Sequence, residues 1–98
     1  MKNKKAANKE QARTATVSWT AHAWEEYLYW QEEDRDVVDK INDLIDECLK
    51  TPFTGTGKPE PLRGNLTGYW SRRIDRVHRL VYLPADQGIY IVACRYHY

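Results

Sequence analysis

Three residues that lie far apart in the sequence carry the side chains that metal-free cleavage of RNA requires. A base must take the proton from a ribose 2′-hydroxyl, a cation must stabilise the crowded phosphate, and an acid must protonate the departing 5′ oxygen. Glu60, Arg79 and His97 could fill these roles in that order. Neighbouring cations would keep Glu60 ionised, and a neighbouring carboxylate would favour protonated His97. The assignment is chemically coherent, but it is not unique from these residues alone.

The second half of the chain is rich in both cations and aromatic rings. The cations are Lys58, Arg63, Arg72, Arg73, Arg76, Arg79 and Arg95, and the rings are Tyr69, Trp70, Tyr82, Tyr96 and Tyr98. This mixture suits single-stranded RNA, since phosphates attract cations and bases stack on rings. The alternative is that Trp70 and some tyrosines are core residues and that the arginines are solvated strand surfaces.

Other kinds of chemistry find little support in the sequence. Three scattered histidines and two cysteines show no spacing of metal ligands. The segment Gly55-Thr56-Gly57-Lys58 lacks the spacing of a phosphate-binding loop and the helix that should follow one. No set of residues matches a serine triad. The residues therefore give metal catalysis little support.

Length and composition indicate one small domain with segregated charge. The chain has 98 residues, and no apolar run approaches the roughly 18 residues of a membrane span. Two cysteines are too few for a disulfide scaffold, which favours a reducing cytoplasm. The net charge of +1 divides into +4 for residues 1–16, −7 for 17–50 and +4 for 51–98. We interpret residues 1–16 as a flexible basic tail without a specific function, and 17–98 as the folded domain.

Two amphipathic helices are predicted after a short strand at Val17-Ser18-Trp19. The first runs from Ala21 to about Glu33 behind an N-cap at Thr20, with an apolar stripe. That stripe contains Trp24, Tyr27, Leu28 and Gln31. The second helix runs from about Asp36 to Lys50, with Asp34 or Asp36 to cap or charge-complement its start. Thr51-Pro52 stops it, and Cys48 lies on its apolar stripe as a core residue.

A loop and three strands complete the chain. Residues 52–68 form the loop, in which Pro59 and Pro61 hold Glu60 in an extended backbone. Strands are predicted at 69–74, 77–83 and 89–98. The order β-α-α-β-β-β predicts an α+β fold, with a small antiparallel-dominated sheet and two helices packed on one face. Alternation places Arg95 and His97 on the face of Ile89, and it points Arg72 and Arg73 to opposite faces.

Residues 17–98 resemble the YoeB/Txe toxins of bacterial type II toxin–antitoxin systems, within the RelE/ParE superfamily. The resemblance rests on blocks that recur in order at the spacing of the family. They are Tyr27-Leu28-Tyr29-Trp30-Gln31, Thr51-Pro52-Phe53, Gly55-Thr56-Gly57-Lys58-Pro59-Glu60-Pro61-Leu62, Gly68-Tyr69-Trp70-Ser71-Arg72-Arg73-Ile74, His78-Arg79-Leu80-Val81-Tyr82 and Ala93-Cys94-Arg95-Tyr96-His97-Tyr98.

The resemblance implies a microbial RNase fold and an enzyme that cleaves mRNA in the ribosomal A site with neither a metal nor an organic cofactor. It implies Glu60 as general base, His97 as general acid and Arg79 as the phosphate-stabilising residue. Tyr98 matches a terminal tyrosine that shapes the site, and Arg73, with Lys58 as a weaker candidate, matches a further basic residue. On their charge alone, Arg72 and Arg95 join these as candidates for binding RNA phosphates.

The implied partners are both subunits of the ribosome, mRNA and an antitoxin of the YefM/Axe type. That antitoxin would cover the toxin, and the complex would bind operator DNA and repress the shared operon. A toxin homodimer is a further expectation, and no membrane partner is expected. Two alternatives share the fold: a non-catalytic toxin of the ParE type that poisons DNA gyrase, and a pure protein-interaction module.

Overall fold

The computed structural model describes residues 15–96 and folds them into two helices and a five-stranded sheet. The elements are β1 (Thr16–Trp19), α1 (Ala21–Glu33), α2 (Arg35–Lys50), β2 (Glu60–Pro61), β3 (Trp70–Arg73), β4 (Arg79–Ala85) and β5 (Gly88–Ala93), with a 3-10 turn at Gly64–Leu66. The strand order is β1-β5-β4-β3-β2, in which β1 runs parallel to β5 and every other pair is antiparallel. The predicted α+β class and antiparallel-dominated sheet are confirmed.

The start of the fold differs slightly from the predicted boundary. Residues 1–14 of the predicted tail lie outside the described residues, but Thr16 already pairs with Gly88 in the sheet. The 52–68 segment, predicted as a loop throughout, contains β2 and the 3-10 turn. Glu60 thus gains a strand partner, because β2 adds to the edge of β3.

Both helices begin at the caps that the sequence predicts. The hydroxyl of Thr20 accepts a hydrogen bond from the Ala23 N–H at 3.0 Å, and the Asp34 carboxylate accepts from Asp36 and Val37 at 3.1 and 3.4 Å. α2 ends where Pro52 follows Thr51. Neither helix within residues 15–96 is long and apolar enough to cross a membrane.

The buried face of α1 is not the predicted apolar stripe. Ala23, Glu26 and Trp30 are buried, whereas Trp24 and Leu28 are 44% and 43% exposed. The reason is that Glu26 and Trp30 bond to the end of the sheet, which fixes the rotation of the helix. Trp24 instead packs its ring against Trp19 and Tyr27, which leaves an aromatic cluster on the surface.

Both helices cover the same face of the sheet, as predicted. The core between these layers is formed by Ala23, Trp30, Val38, Ile41, Leu44, Ile45, Cys48, Ile74, Leu80, Tyr82, Ile89, Ile91 and Cys94. The stripe on α2 is buried as its periodicity predicts, and Cys48 is a core residue. The opposite face of the sheet, which we call the open face, is covered by no helix of residues 15–96.

A β-bulge near the end of β5 changes which side chains face the helices. Val81 pairs with Ala93, but Tyr82 pairs with Ile91, so Val92 is an extra residue in the ladder. Ile91 belongs to the core below the helices, and Ala93 shares the open face with Val81. The predicted common face for Ile89, Ile91, Ala93 and Arg95 is therefore wrong beyond Ile91, and β5 ends at Ala93 rather than at Tyr98.

Candidate active site

The register of three strands brings Glu60, Arg73 and Arg79 to the open face. Glu60 is paired with Ser71, and Arg73 is paired with Arg79. Ser71 and Arg73 are two residues apart on β3, so their side chains point to the same face of the sheet. The residue between them, Arg72, points toward the helices. The sheet therefore unites the predicted base with two of the predicted cations.

Arg73 and Arg79 form a cross-strand pair of like charges. Side chains paired directly across two strands have Cβ atoms about 5 Å apart, and like charges in such positions repel each other. Arg73 is exposed and Arg79 is half-buried. Such a concentration of positive charge on an exposed sheet face favours an anion, because an anion removes the repulsion.

The position of Glu60 is set by its strand partners and by two prolines. It is exposed, and its neighbours Pro59 and Pro61 each fix their own φ near −65°. Pro61 is paired with Trp70 at the edge of the sheet, where a missing N–H costs no internal hydrogen bond. The carboxylate is thus carried on a stiff backbone and is open to a ligand.

Lys58 precedes Glu60 by two residues and has a left-handed backbone. Its φ is 52°, a conformation that only a minority of non-glycine residues adopt. Just before it, the Gly57 carbonyl accepts a hydrogen bond from the Arg73 N–H at 2.6 Å. The backbone leading into Lys58 is thereby fixed to β3 at the position of Arg73.

A tight turn presents Arg79. The carboxylate of Asp75 accepts hydrogen bonds from the Val77 and His78 N–H groups at 2.8 and 2.7 Å. Partial burial opposes ionisation, but these backbone donors, together with the charges of His78 and Arg79, hold the pKa of Asp75 below its ordinary value. The guanidinium of Arg79 donates to the carbonyls of Asp75 and His78 at 3.0 and 3.1 Å. The same turn therefore fixes both the backbone and one guanidinium nitrogen of Arg79.

The segment after β5, which we call the C-terminal segment (residues 94–96), is fastened by four side chains. Glu26 accepts from the Cys94 N–H and Trp30 Nε1 donates to the Cys94 carbonyl, both at 2.9 Å. His78 Nδ1 accepts from the Tyr96 N–H at 2.7 Å. The Arg95 guanidinium lies 3.7 Å from the centre of the Tyr29 ring, the fourth contact.

The backbone of Arg79 also bonds to the C-terminal segment, since its N–H donates to the Tyr96 carbonyl at 2.8 Å. The two predicted site residues that follow Tyr96, His97 and Tyr98, lie outside the described residues. Their roles as acid and as site-shaping tyrosine stay predictions. The chain nevertheless passes directly beside Arg79 before it reaches them.

Two of the predicted RNA-binding arginines are placed elsewhere. Arg72 is completely buried, so its assignment to an RNA surface is wrong. Its guanidinium bonds within the fold because it points below the sheet, toward α2. Arg95 is not on the open face but stacks on Tyr29 of α1 and on Tyr96. Contact between Arg95 and RNA stays a prediction. Arg95 does not share the open face with Arg73.

Neither cysteine is suited to nucleophilic chemistry. Burial raises the pKa of Cys94 to about 12, with the Glu26 carboxylate acting in the same direction. Burial also raises the pKa of the Cys48 thiol. Within residues 15–96, no group of three or more histidine, cysteine, aspartate and glutamate side chains could hold a metal ion. The chemistry that these residues support is that of carboxylate, guanidinium and ammonium groups.

Sequence reasoning missed the side chains that hold the site in place. Glu26 and His78 each accept a backbone hydrogen bond from the C-terminal segment. The sequence did hold a signal for Glu26, because this glutamate lies one position from the predicted stripe of α1. A charged side chain near a buried face needs a polar partner. No comparable signal exists for His78, whose role depends on a turn and on the bend after β5.

The comparisons with known proteins point to one family. A sequence model of the family described as "YoeB-like toxin of bacterial type II toxin-antitoxin system" matches residues 19–98. Toxin YoeB of Escherichia coli (strain K12) is 58% identical over 80 residues, which cover 82% of this chain and 95% of that protein.

Two solved structures from Staphylococcus aureus are similar in fold and sequence. The toxin in a heterotetrameric YoeB–YefM toxin–antitoxin complex is 45% identical, with a TM-score of 0.80, covering 86% of this chain and 98% of that one. A YoeB dimer is 44% identical, with a TM-score of 0.81, covering 87% and 99%. The chain therefore belongs to the family of YoeB-like toxins of bacterial type II toxin–antitoxin systems.

Proposed function

We propose that this chain is a ribosome-dependent endoribonuclease that cleaves mRNA in the ribosomal A site without a metal ion. The observation that carries the proposal is the open face, on which the register places Glu60 beside the Arg73–Arg79 pair. A carboxylate and two guanidinium groups suit a phosphodiester that is attacked by its own neighbouring hydroxyl.

The proposed reaction uses one base and one acid. Glu60 takes the proton from the ribose 2′-hydroxyl, and the resulting oxygen attacks the adjacent phosphorus. Arg79 and Arg73 stabilise the charge that accumulates on the phosphate oxygens. His97 donates a proton to the departing 5′ oxygen as its bond to phosphorus breaks. The products are a 2′,3′-cyclic phosphate and a 5′-hydroxyl, and solvent then returns both side chains to their starting protonation states.

The antitoxin and a second copy of the toxin are the proposed protein partners. The S. aureus relatives support them, since one forms a heterotetramer with YefM and another is a dimer. The exposed aromatic cluster around Trp24 is a surface that a protein partner could cover. We further propose that the complex with a YefM-type antitoxin represses its operon and that the toxin acts in the cytoplasm.

The test is a purified translation extract programmed with a defined mRNA, in which cleaved 5′ ends are mapped. We expect cuts at A-site codons that depend on translation and carry a 5′-hydroxyl. Glu60→Gln and His97→Gln should each lower the cleavage rate at least about 100-fold, since general acid–base catalysis contributes on that scale. The matched control is Glu33→Gln, which changes an exposed glutamate of α1 and should cleave normally.

Full cleavage by either site variant would remove that residue from the mechanism. Uncut mRNA together with inhibited supercoiling by DNA gyrase would instead support the non-catalytic toxin of the ParE type. Growth arrest that needs Glu60 would exclude a pure interaction module.

A further inference from the structure

Arg72 is a fully buried arginine whose donors all find oxygen atoms of the fold. Its Nε donates to the Tyr82 hydroxyl at 3.0 Å, and Nη1 donates to the Thr56 carbonyl at 3.2 Å. Nη2 donates to the carbonyls of Thr54, at 2.9 Å, and of Thr51. A buried guanidinium is stable only with such partners. Three of its four partners are backbone oxygens of one segment, residues 51–56.

A second layer of contacts encloses the same segment. Glu47 of α2 lies 3.5 Å from Nη1 of Arg72 and accepts a hydrogen bond from the Thr56 N–H at 2.6 Å. A side chain at Gly55 would collide with this carboxylate, because its Cβ would overlap with Oε1 of Glu47. On the other side, the Tyr82 hydroxyl donates to the Pro52 carbonyl at 2.6 Å. Segment 51–56 is thus fixed from α2, β3 and β4.

This segment leads directly to the open face. Directly after it, the Gly57 carbonyl bonds to the Arg73 N–H, and three residues further on Glu60 pairs with Ser71. Residues 71–73 of β3 therefore hold the whole stretch from Thr51 to Glu60. The Arg72 side chain holds its beginning, and the backbones of Ser71 and Arg73 hold its end.

We propose that Arg72 is a positioning residue that places Glu60 for cleavage, by holding segment 51–56 through its guanidinium without touching RNA. The inference rests on the proposed function. A planar guanidinium presents five N–H donors in a fixed fork, whereas an ammonium group is a single point on a flexible stem. Lysine at this position would keep the charge but could not reach oxygens on three sides.

The test is Arg72→Lys, measured by single-turnover cleavage on ribosomes that are stalled with an empty A site. We expect the rate at saturating ribosomes to fall about 10- to 100-fold, because a displacement near 1 Å can cost that much. The ribosome concentration at half-saturation should change less than about twofold, since the open face keeps its cations. Arg35→Lys, an exposed arginine at the start of α2, is the matched control and should behave like the wild type.

A double variant separates positioning from general damage. If Arg72 acts through Glu60, adding Arg72→Lys to Glu60→Gln should cause no further loss. A further loss equal to that of the single variant would overturn the inference. Wild-type cleavage by Arg72→Lys would overturn it as well and would leave the proposed function intact. A wild-type protein that does not cleave would overturn both.

A milder variant covers the case in which Arg72→Lys does not fold. Glu47→Gln keeps an oxygen for the Thr56 N–H and removes the charge opposite Arg72. We expect its cleavage rate to fall about two- to fivefold, together with faster hydrogen exchange at the Thr56 amide. Unchanged exchange and unchanged cleavage would contradict the proposed role of the cluster.

Discussion

The two regions that lead to the proposed base and the proposed acid are attached to the sheet in different ways. Segment 51–56 receives three of its bonds from one guanidinium, that of Arg72, and single bonds from Glu47 and Tyr82. The C-terminal segment depends on separate side chains of α1 and of the turn before β4. The contrast teaches that a single substitution, at Arg72, removes three bonds to the first region at once, whereas the second should loosen in steps.

The difference extends to the kind of interaction. Arg72 and Glu47 bring opposite charges to segment 51–56, so its attachment depends on their ionisation. The C-terminal segment is held by a carboxylate, an indole N–H, an imidazole nitrogen and a stacked guanidinium. The first region is therefore held by a cluster around an ion pair, and the second by separate hydrogen bonds and one stacked cation.

The largest expected effect on the C-terminal segment comes from Trp30→Phe. This change removes the donor to the Cys94 carbonyl and leaves a void in the core beside His78, whose ring lies 4.7 Å away. We expect the free energy of unfolding in urea to fall by about 3 kcal/mol. Hydrogen exchange at the Cys94 amide should accelerate, while the Thr56 amide stays protected.

The control for this experiment is Trp24→Phe. Trp24 is exposed, so we expect a cost within about 0.5 kcal/mol. Loss of protection at both Cys94 and Thr56 in Trp30→Phe would show that the two regions are one cooperative unit, which would break the comparison.

Glu26 should have a smaller effect that depends on which atoms remain. Glu26→Ala leaves the buried Cys94 N–H without an acceptor, and we expect the free energy of unfolding to fall by about 2 kcal/mol. Glu26→Gln keeps an oxygen in place, and about half of that loss should be recovered. Equal losses in the two variants would show that the charge, rather than the hydrogen bond, holds the segment.

The smallest effect is the acid sensitivity of segment 51–56. The backbone N–H of Thr56, its side chain and the charge of Arg72 hold the pKa of Glu47 below its ordinary value of 4.5. A group with a lowered pKa in the folded state stabilises the fold above its unfolded pKa, and this is lost as pH falls through the folded value. We therefore expect the Thr56 amide to lose protection below about pH 4.5, as Glu47 takes up a proton.

Two variants sharpen the acid experiment. In Glu47→Gln, the protection of the Thr56 amide should vary less with pH, because the titrating group is gone. Asp75→Asn removes the other carboxylate whose pKa is lowered, which lies in the turn before β4. Asp75→Asn should therefore leave the pH dependence of protection at the Thr56 amide unchanged. Identical acid profiles for Thr56 in the wild type and in Glu47→Gln would contradict the assigned cause.

Local rules were sufficient to predict where the helices begin and end and which face of α2 is buried. The caps at Thr20 and Asp34, the stop at Pro52 and the buried stripe of α2 all follow from side-chain chemistry within one turn. The rotation of α1 did not follow, because it depends on bonds from Glu26 and Trp30 to Cys94, over 60 residues away. Periodicity reports an apolar face but cannot report such long-range polar partners.

The site was predictable where strand alternation suffices. Alternation placed Arg72 and Arg73 on opposite faces, but charge alone could not tell which one points inward. The pairing of Arg73 with Arg79 settles that choice, since it requires the register of β3 with β4. The predicted end of the last strand, at Tyr98, was wrong. The backbone of Tyr96 adopts a φ of 62°, which no alternation rule foresees.

The bulge at Val92 has a consequence for engineering the end of this chain. Ile91 and Cys94 both belong to the core under the helices, although an uninterrupted zigzag would send them to opposite sides. Ile91, Ala93 and Cys94 therefore alternate between the two faces as if Val92 were absent. Deleting Val92 should therefore preserve the side on which each later residue emerges, whereas inserting one regularly paired residue there would reverse the parity of everything that follows.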